Sequence, residues 1–479
     1  MSSPVVPLAE GFAAATRADW VALVTKTLKG AGAESLDVRT QDGLVIHALY
    51  TGEEASPPLD FAPGVRKGER SWDVRARVSN PSPEAANTEA IEALAGGAGS
   101  LLVKIDSGDG SGMWAGGPDD IARALDGVLT DVAPIALDAG YLGPAVARWL
   151  GAAVKASPGA PLALHLDPLS AFAASGTSPG PIEAHLDSAA SVATLLRETY
   201  PKASLFLANG GVVHEAGGSP AWEIAFAAAA AVAYAKALVG VGLTMTEAFA
   251  PLTLGVAVDA EPVGAIAKLR AARILWARIT QACAVELPAR IEARSSGRML
   301  TSADRWTNLI RLTSAGFAAS VGGADAIVLG AFTDALGPPD PFASRMARNT
   351  QLILMEEAHL GRVADPAGGS WALETYTADL AEAAWQAFVA IEAAGGLVDA
   401  LRSGLVAAAV AQSREALRSS LGNHTQRIIG VTDFKSVDET PETAPIERED
   451  RMPPPDLRIA GDDSHCPALR AFRLEELVG

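Results

Sequence analysis

A repeated alternation of short β-rich segments with longer helical ones constrains the fold of this 479-residue chain more than any other feature. Eight such units in a row predict a closed parallel (β/α)8 TIM barrel. An open, doubly wound sheet is the alternative, because periodicity alone does not separate the two. The predicted strands are WDVRARV (72–78), LLVKID (101–106), PIALDA (134–139), LALHLD (162–167), SLFLAN (204–209), LTMTEAF (243–249), ARIEARS (289–295) and DAIVLGAF (325–332).

The sequence flanking these units differs in character from them. Before them, Thr16 or Asp19 can cap a helix that Gly30 would end, and a Pro- and Gly-containing linker follows. After them, residues 345–421 are helical in pattern, and the chain becomes polar and Pro-rich from about residue 431. These changes predict an arm and linker, a barrel and an extended tail, at 1–70, 71–421 and 422–479.

The charge balance limits the partners of the chain. Lys plus Arg number 38 and Asp plus Glu number 56, which gives a net charge of −18. Nucleic acid and anionic membranes attract positive surfaces, so neither is expected as a partner. Two cysteines cannot build a disulfide framework, and no signal peptide is evident, so a cytoplasmic protein is expected. The apolar run at 221–242 contains Glu and Lys and predicts a buried helix.

Two local motifs imitate cofactor sites. The run from Gly108 to Gly112 follows a predicted strand, but Met113 stands where a dinucleotide-binding loop needs glycine. Asp463 and His465 match the start of DxHxxG, the pattern in which a histidine binds the cobalt of cobalamin. Ala468 replaces its glycine, and only 11 residues follow, so we interpret this match as chance.

Three further segments carry groups that could act chemically. His165 and Asp167 lie two positions apart and would share one face of a strand, most simply as hydrogen-bonded barrel residues. His214 and Glu215 form a potential acid–base pair, although adjacent side chains usually diverge. The segment ARIEARSSGR (289–298) could hold a carboxylate or phosphate, or could be a strand end with solvated arginines.

The region from about residue 200 to 400 holds the most distinctive motifs. They include NGGVVHEAGGSPAWEIAFAAAAAVAYAKAL, SSGRMLTSADRWTNLIRLTSAGFAASVGGADAI and RMARNTQLILMEEAHLGRVADPAGGSWALETYT. These stretches resemble the acyl-CoA mutase family, and the methylmalonyl-CoA mutase type in particular. With W…L.KTLKG, PG…KGER and WDVR, the likeness spans about residues 18–435. The resemblance implies a (β/α)8 barrel with the pantetheine arm of CoA along its axis, and a separate C-terminal cobalamin domain in catalytic chains.

At the positions that hold substrate in the family, this chain has other residues. Arg77 stands where the WTIRQY strand of active chains has the tyrosine that packs against the acyl group. Val212 replaces the histidine of GYHMQEAGA that bonds the thioester carbonyl. Glu292 and Arg294 replace the histidine and glutamine of RTHCQTSG, and Val328 replaces the histidine of QSLHTN. Valine donates no hydrogen bond, and buried charges need partners, so Arg77 and Glu292 are candidates to pair with each other.

The resemblance therefore implies the small chain of a two-chain mutase, paired with a homologous catalytic large chain, most simply as a heterodimer. The complex would isomerise methylmalonyl-CoA and succinyl-CoA. The partner chain would bind adenosylcobalamin, and this chain would bind no cofactor or metal. No catalytic residue is expected here, and Arg294 and His214 are the candidates for substrate contact. The last residues, SHCPALRAFRLEELVG, resemble the linker to the cobalamin domain, so a version without that domain is expected.

Two other functions remain open on the sequence. One is an active acyl-CoA mutase chain of altered specificity, with a separate cobalamin-binding chain and with Arg77, Arg294 or His214 on a different acyl group. The other is a non-enzymatic scaffold.

Overall fold

Eight parallel strands close into a barrel, as the repeat predicts, and the alternative of an open sheet is excluded. The structure is a computed structural model that describes residues 15–52, 71–108, 111–155, 157–435 and 457–478. Neighbours in the barrel follow sequence order, and the last strand pairs with the first. The barrel strands are β1 Asp73–Val78, β2 Ser100–Lys104, β3 Ile135–Asp138, β4 Leu162–Leu166, β5 Ser204–Asn209, β6 Leu252–Val258, β7 Ile291–Ser295 and β8 Ala326–Val328.

The prediction for the sixth strand is wrong. The segment 243–249 contains a helix, Met245–Phe249, and strand β6 follows it at Leu252–Val258. Thr244 and Glu247 form a capping box, in which each side chain accepts a hydrogen bond from the other's backbone N–H at 3.0–3.3 Å. This pairing favours a helix start. Every residue of β6 is buried, so the strand is a continuous apolar run without alternation.

Helices surround the barrel and separate its strands from solvent. They are α1 Arg17–Thr27, α2 Pro83–Ala95, α3 Pro118–Ala124, α4 Gly143–Ala153, α5 Pro168–Ser175, α6 Ile182–Thr199, α7 Gly211–Glu215, α8 Pro220–Gly240, α9 Met245–Phe249, α10 Pro262–Ala282, α11 Thr307–Val321, α12 Pro341–Leu352, α13 Trp371–Ala393, α14 Leu397–Arg402 and α15 Leu405–Gly422. A single π-helical turn, Ile353–Glu357, continues α12. Thr16 caps α1, as one of the two sequence alternatives has it.

Helix α8 is the most apolar helix described. By length and composition alone it could cross a bilayer, but about two thirds of its apolar window is buried inside the protein. It packs against β5, β6 and α13. Its burial agrees with the prediction of a core helix.

The last described residues lie across the carboxyl end of the barrel. Ser464–His465 pairs antiparallel with Thr177–Ser178, between α5 and α6. Further on, the Phe472 N–H donates to Glu215 O at 3.2 Å, and the Leu474 N–H donates to Arg298 O at 2.9 Å. Residues 457–478 therefore cover the loops after β4, β5 and β7. The predicted linker residues 53–70 and the Pro-rich residues 436–456 lie outside the described part of the chain.

Candidate functional site

Charged side chains from several strands meet inside the barrel. Alternate residues of a strand face the same side, so Asp73 and Arg75 of β1 and Glu292 of β7 all point to the axis. Arg75 donates to both carboxylates, with Nη2 at 2.8 Å from Asp73 Oδ2 and Nη1 on Glu292 Oε2. Its Nε donates to Ser100 Oγ of β2 at 2.9 Å. Strand β6 leaves room for this layer, because Gly255 is the register partner of Glu292.

Arg294 extends the layer to the other side of the barrel. Its Nε donates to Glu292 Oε1 at 2.7 Å, and its Nη1 donates to Asp138 Oδ2 of β3 at 2.9 Å. Burial opposes ionisation of Glu292, but His165, Arg294 and Arg75 outweigh it and hold the pKa of Glu292 below its usual range. We call Asp73, Arg75, Asp138, Glu292 and Arg294 the axial ion-pair layer.

His165 of β4 borders the axial ion-pair layer. Its Nε2 lies 3.7 Å from Glu292 Oε2, and burial lowers its pKa to about 4. His165 has a φ of 45°, which interrupts the alternation of the strand. Asp167, predicted to share its face, instead caps α5 by accepting the Ser170 N–H at 3.2 Å, and it accepts the Tyr234 hydroxyl at 2.5 Å. Among the described residues, no group of three or more His, Cys, Asp or Glu side chains is placed to hold a metal ion.

An apolar layer adjoins the charges. Val328 is the register partner of Arg294, and it packs with one residue from each of β2, β3 and β4. The packed side chains are Leu102, Ala136, Ala163 and Val328, all of them buried. The apolar layer and the axial ion-pair layer together occupy the barrel axis, although Arg294 Nη2 and His165 Nδ1 are buried there without a hydrogen-bond partner within the described part of the chain.

Arg77 lies apart from Glu292, so the two do not pair as the sequence suggests. Its Nη2 donates to Asp334 Oδ1 at 2.5 Å, in the loop after β8. Strands β8 and β1 pair through only two residues each, and Arg77 lies beyond that pairing. A cavity of about 740 Å³ opens there at the side of the barrel, between β1, α2 and α12.

The two remaining sequence candidates lie at the carboxyl end of β5. Val212 is half-buried on α7 and packs against the main core, away from the two axial layers. His214 is buried, with Nε2 at 2.9 Å from Ser296 Oγ and Nδ1 at 3.4 Å from Glu223 Oε2. Glu215 diverges from it and accepts the backbone N–H of Gly297 and of Arg298.

Ser296, His214 and Glu223 contact one another in the same sequence as the residues of a nucleophilic Ser–His–acid triad. Their other contacts, however, are to buried groups of the protein itself. Ser296 is fully buried and also accepts the Arg298 N–H at 3.1 Å. Lys268 Nζ donates to Glu223 Oε2 at 2.6 Å and holds the pKa of Glu223 near 2 against the effect of burial. Through these contacts the cluster ties the end of β7 to α8 and α10.

Known proteins match the sequence along most of its length. The sequence model of the methylmalonyl-CoA mutase family matches residues 61–453. The chain belongs to the methylmalonyl-CoA mutase family. It is 38% identical to the methylmalonyl-CoA mutase small subunit of Streptomyces virginiae, over 96% of this chain and 76% of that protein. It is 33% identical to the small subunit of Propionibacterium freudenreichii subsp. shermanii, over 91% and 71%. A probable small subunit of Mycobacterium tuberculosis (strain ATCC 25618 / H37Rv) is 36% identical, over 84% and 67%.

The described residues do not fit the cobalamin on which this mutase family depends. Barrel enzymes bind their substrates and cofactors at the carboxyl ends of the strands. In this chain, residues 457–478 cover the loops that follow β4, β5 and β7 at that end. In the DxHxxG-like motif, Asp463 accepts the Gly180 N–H and an Arg458 guanidinium, both at 2.9 Å. His465 pairs in a strand with Thr177. The motif therefore holds the tail against the barrel.

Three of the five residues of the axial ion-pair layer were not predicted from the sequence. Asp73, Arg75 and Asp138 were not among the predicted site residues, although Asp73 and Arg75 alternate with Arg77 along one strand. Alternation of charges on a predicted barrel strand was the available signal. Only the closed barrel shows that β1, β3 and β7 bring these groups to one level.

Proposed function

We propose that this chain is the small, non-catalytic subunit of an adenosylcobalamin-dependent methylmalonyl-CoA mutase. The observation that supports it is the axial ion-pair layer, which lies across the path that the pantetheine arm of CoA is expected to take in this family. A thioester on that path would have to displace Arg75, Glu292 and Arg294 from one another.

The chemistry of the layer also argues against a working site. Rearrangement of an acyl radical needs donors aimed at the thioester carbonyl and a dry pocket. Here Arg75 and Arg294 each donate to two carboxylates, and Val328 offers no donor. Breaking a buried ion pair costs about 3–5 kcal/mol. Substrate binding would have to supply that energy before any catalysis.

The proposed role is to stabilise a catalytic large chain, which binds adenosylcobalamin and carries out the isomerisation. The names of three relatives, two small subunits and one probable small subunit, support a complex of two chain types. Two free cysteines support a reducing cytoplasm as the site of action.

Co-expression with the mutase large chain of the same organism tests the proposal. We expect the two chains to purify together in equal amounts, and we expect methylmalonyl-CoA turnover to require the large chain. Turnover by this chain alone, with adenosylcobalamin added, would instead establish an active mutase of its own. Failure of the two chains to associate would favour the alternative of a non-enzymatic scaffold outside the mutase complex.

Titration calorimetry with CoA thioesters tests whether the barrel axis is filled or open. We expect no binding heat when methylmalonyl-CoA or succinyl-CoA is titrated into this chain alone. The large chain, titrated in the same way, is the positive control. Saturable binding to this chain at micromolar concentration would contradict a filled axis.

A further inference from the structure

A gap in the outer ring of helices leaves part of strand β1 uncovered. A cavity of about 740 Å³ lies in this gap, between α2 and α12, and we call it the side cavity. Ala76 faces outward from β1 and lines the side cavity, where it is only half-buried. Helices normally cover such a position in a (β/α)8 barrel. Cavities that bind small molecules measure about 300–1,000 Å³, so the side cavity is large enough for one.

Helix α12 forms a basic wall of the side cavity. Arg345 and Arg348 both line it, and their spacing of three residues places them on one face of the helix. Arg348 Nε donates to Gly96 O at 2.9 Å, at the end of α2. Burial lowers the pKa of Arg348, and the charge of Arg345 lowers it further. The two guanidinium groups therefore repel each other on a surface that would attract a carboxylate or phosphate.

Gln351 continues this wall one turn further along α12. Its side chain lines the side cavity, although only 2% of the residue is exposed. Its Oε1 is buried and accepts no hydrogen bond from any group whose position the structure describes. Buried acceptors almost always have a donor. An N–H or O–H group of a bound molecule would supply the missing one.

Helix α2 forms an acidic wall on the opposite side of the side cavity. Glu89 and Glu92 line it and, like the two arginines, lie three residues apart on one face of their helix. Glu89 Oε2 accepts the N–H groups of Ser79 and Asn80, both at 3.0 Å, and Glu92 is exposed. Burial raises the pKa of Glu89, so these contacts do not fully compensate its charge. This wall would attract a cation.

The other charged side chains that line the side cavity already have partners. Arg75 belongs to the axial ion-pair layer, Arg77 donates to Asp334, and Asp340 Oδ1 accepts the Ala343 N–H at 2.7 Å. Two arginines on one wall and two glutamates on the other remain, and the part of the chain that the structure describes contains no ion pair between them. A ligand with one sign of charge would be attracted by one wall and repelled by the other, whereas a ligand with both signs would match both.

We propose that the side cavity binds a zwitterionic small molecule of the amino-acid or short-peptide type. Its carboxylate meets the arginines of α12, its ammonium group meets the glutamates of α2, and one N–H donates to Gln351 Oε1. Guanidinium groups bind carboxylates through two hydrogen bonds in a fixed geometry, which favours a carboxylate at the basic wall. The side cavity lies outside the barrel axis, so this inference goes beyond the subunit role and does not depend on it.

Trialanine is a suitable probe, because it carries one carboxylate, one ammonium group and two peptide N–H groups. Titration calorimetry or ligand-detected NMR of the full chain measures its binding. We expect saturable binding, and we expect N-acetyl-trialanine and trialanine amide each to bind at least about tenfold more weakly. The first derivative lacks the positive charge of trialanine, and the second lacks its negative charge.

Two variants test which wall meets which end of the peptide. We expect Arg345→Gln to reduce the preference for trialanine over trialanine amide at least about fivefold, and to leave the preference over N-acetyl-trialanine unchanged. Glu92→Gln should have the reverse effect. Both positions are exposed, so the variants should fold. Arg418→Gln, at an exposed arginine of α15, is the control and should leave both preferences unchanged.

Gln351→Leu tests the buried acceptor with little change in side-chain volume. We expect the affinity for trialanine to fall at least about threefold, because the peptide N–H loses its acceptor. The unfolding midpoint without peptide should not fall, because Oε1 loses no donor that the structure describes. A lower midpoint with unchanged affinity would mean that a buried water meets Oε1, and would overturn the donor assigned to it.

Three results would overturn the proposed site as a whole. They are the absence of saturable trialanine binding at millimolar concentration, equal binding of the three peptides, and unchanged preferences in both wall variants. None of them bears on association with the large chain, so failure of this proposal and failure of the subunit role are distinguishable.

Discussion

Arg294 Nε lies 2.7 Å from Glu292 Oε1, and the two residues occupy alternate positions of strand β7. The pair therefore faces the axis as a unit. Glu292 has no solvent exposure, and its other oxygen accepts from Arg75 on β1. The carboxylate thus joins two strands on either side of β8.

We expect Glu292→Gln to lower the free energy of unfolding by about 3 kcal/mol. The substitution leaves Arg75 and Arg294 buried without their shared counterion. Urea unfolding measures the change. Glu415→Gln, which breaks the exposed Arg418 pair on α15, is the control and should cost less than about 1 kcal/mol. Equal losses in the two variants would contradict the importance of the axial ion-pair layer.

Asp167 gives the chain a pH dependence of defined sign. Burial raises its pKa to about 7, above the value of about 4 in an unfolded chain. Unfolding therefore favours ionisation, and stability falls as pH rises from about 4 to about 7. Between pH 5 and pH 8 we expect the wild type to lose about 2–3 kcal/mol relative to Asp167→Asn, measured by urea unfolding. The amide oxygen still accepts from Tyr234 and Ser170, so the variant should fold. Parallel pH profiles would exclude a neutral Asp167 at pH 5.

Thr244 starts helix α9 with its capping box. We expect Thr244→Ala to destabilise the protein by about 1 kcal/mol, because the Glu247 N–H loses its acceptor. Thr246→Ala, on the exposed side of the same helix, makes the same chemical change without a cap and should alter stability by less than about 0.5 kcal/mol. Thermal or urea unfolding compares the two. A cost confined to Thr246→Ala would contradict the observed helix start.

Phe472 anchors the tail on the barrel. Its ring is buried, with the Arg414 guanidinium carbon 4.0 Å from the ring centroid. We expect Phe472→Ala to speed tryptic cleavage after Arg458 and Arg470 at least about tenfold, because a local opening that costs 1.4 kcal/mol less is ten times more populated. Phe434→Ala, at a ring that is mostly exposed, should leave the cleavage rate unchanged. Equal rates in the two variants would show that other contacts hold the tail.

The strand–helix repeat was sufficient to predict the barrel, because seven of the eight predicted segments coincide with observed strands. The sixth failed for a local reason: LTMTEAF looks extended by composition, but Thr244 and Glu247 start a helix. The correct strand, Leu252–Val258, is buried throughout and shows no alternation. Sequence periodicity cannot separate such a run from a helix.

The interior was predictable only in part. The resemblance led to Arg77, Val212, Glu292, Arg294 and Val328, and three of these five line the two axial layers. The partner of Glu292 was not predictable, because it depends on which residues of distant strands reach the same level. Barrel closure and strand tilt decide that, and they place Arg75 beside Glu292 and send Arg77 to Asp334.

The axial ion-pair layer also limits how such a chain can change over generations. Its charged residues lie on three strands. A neutral replacement at one position therefore leaves a charged residue of another strand buried without its ion-pair partner. Opening the barrel axis by one substitution at a time would pass through variants of low stability. Only simultaneous substitutions at several of these positions would avoid them. Once the layer has formed, substitutions elsewhere in the sequence do not remove its ion pairs.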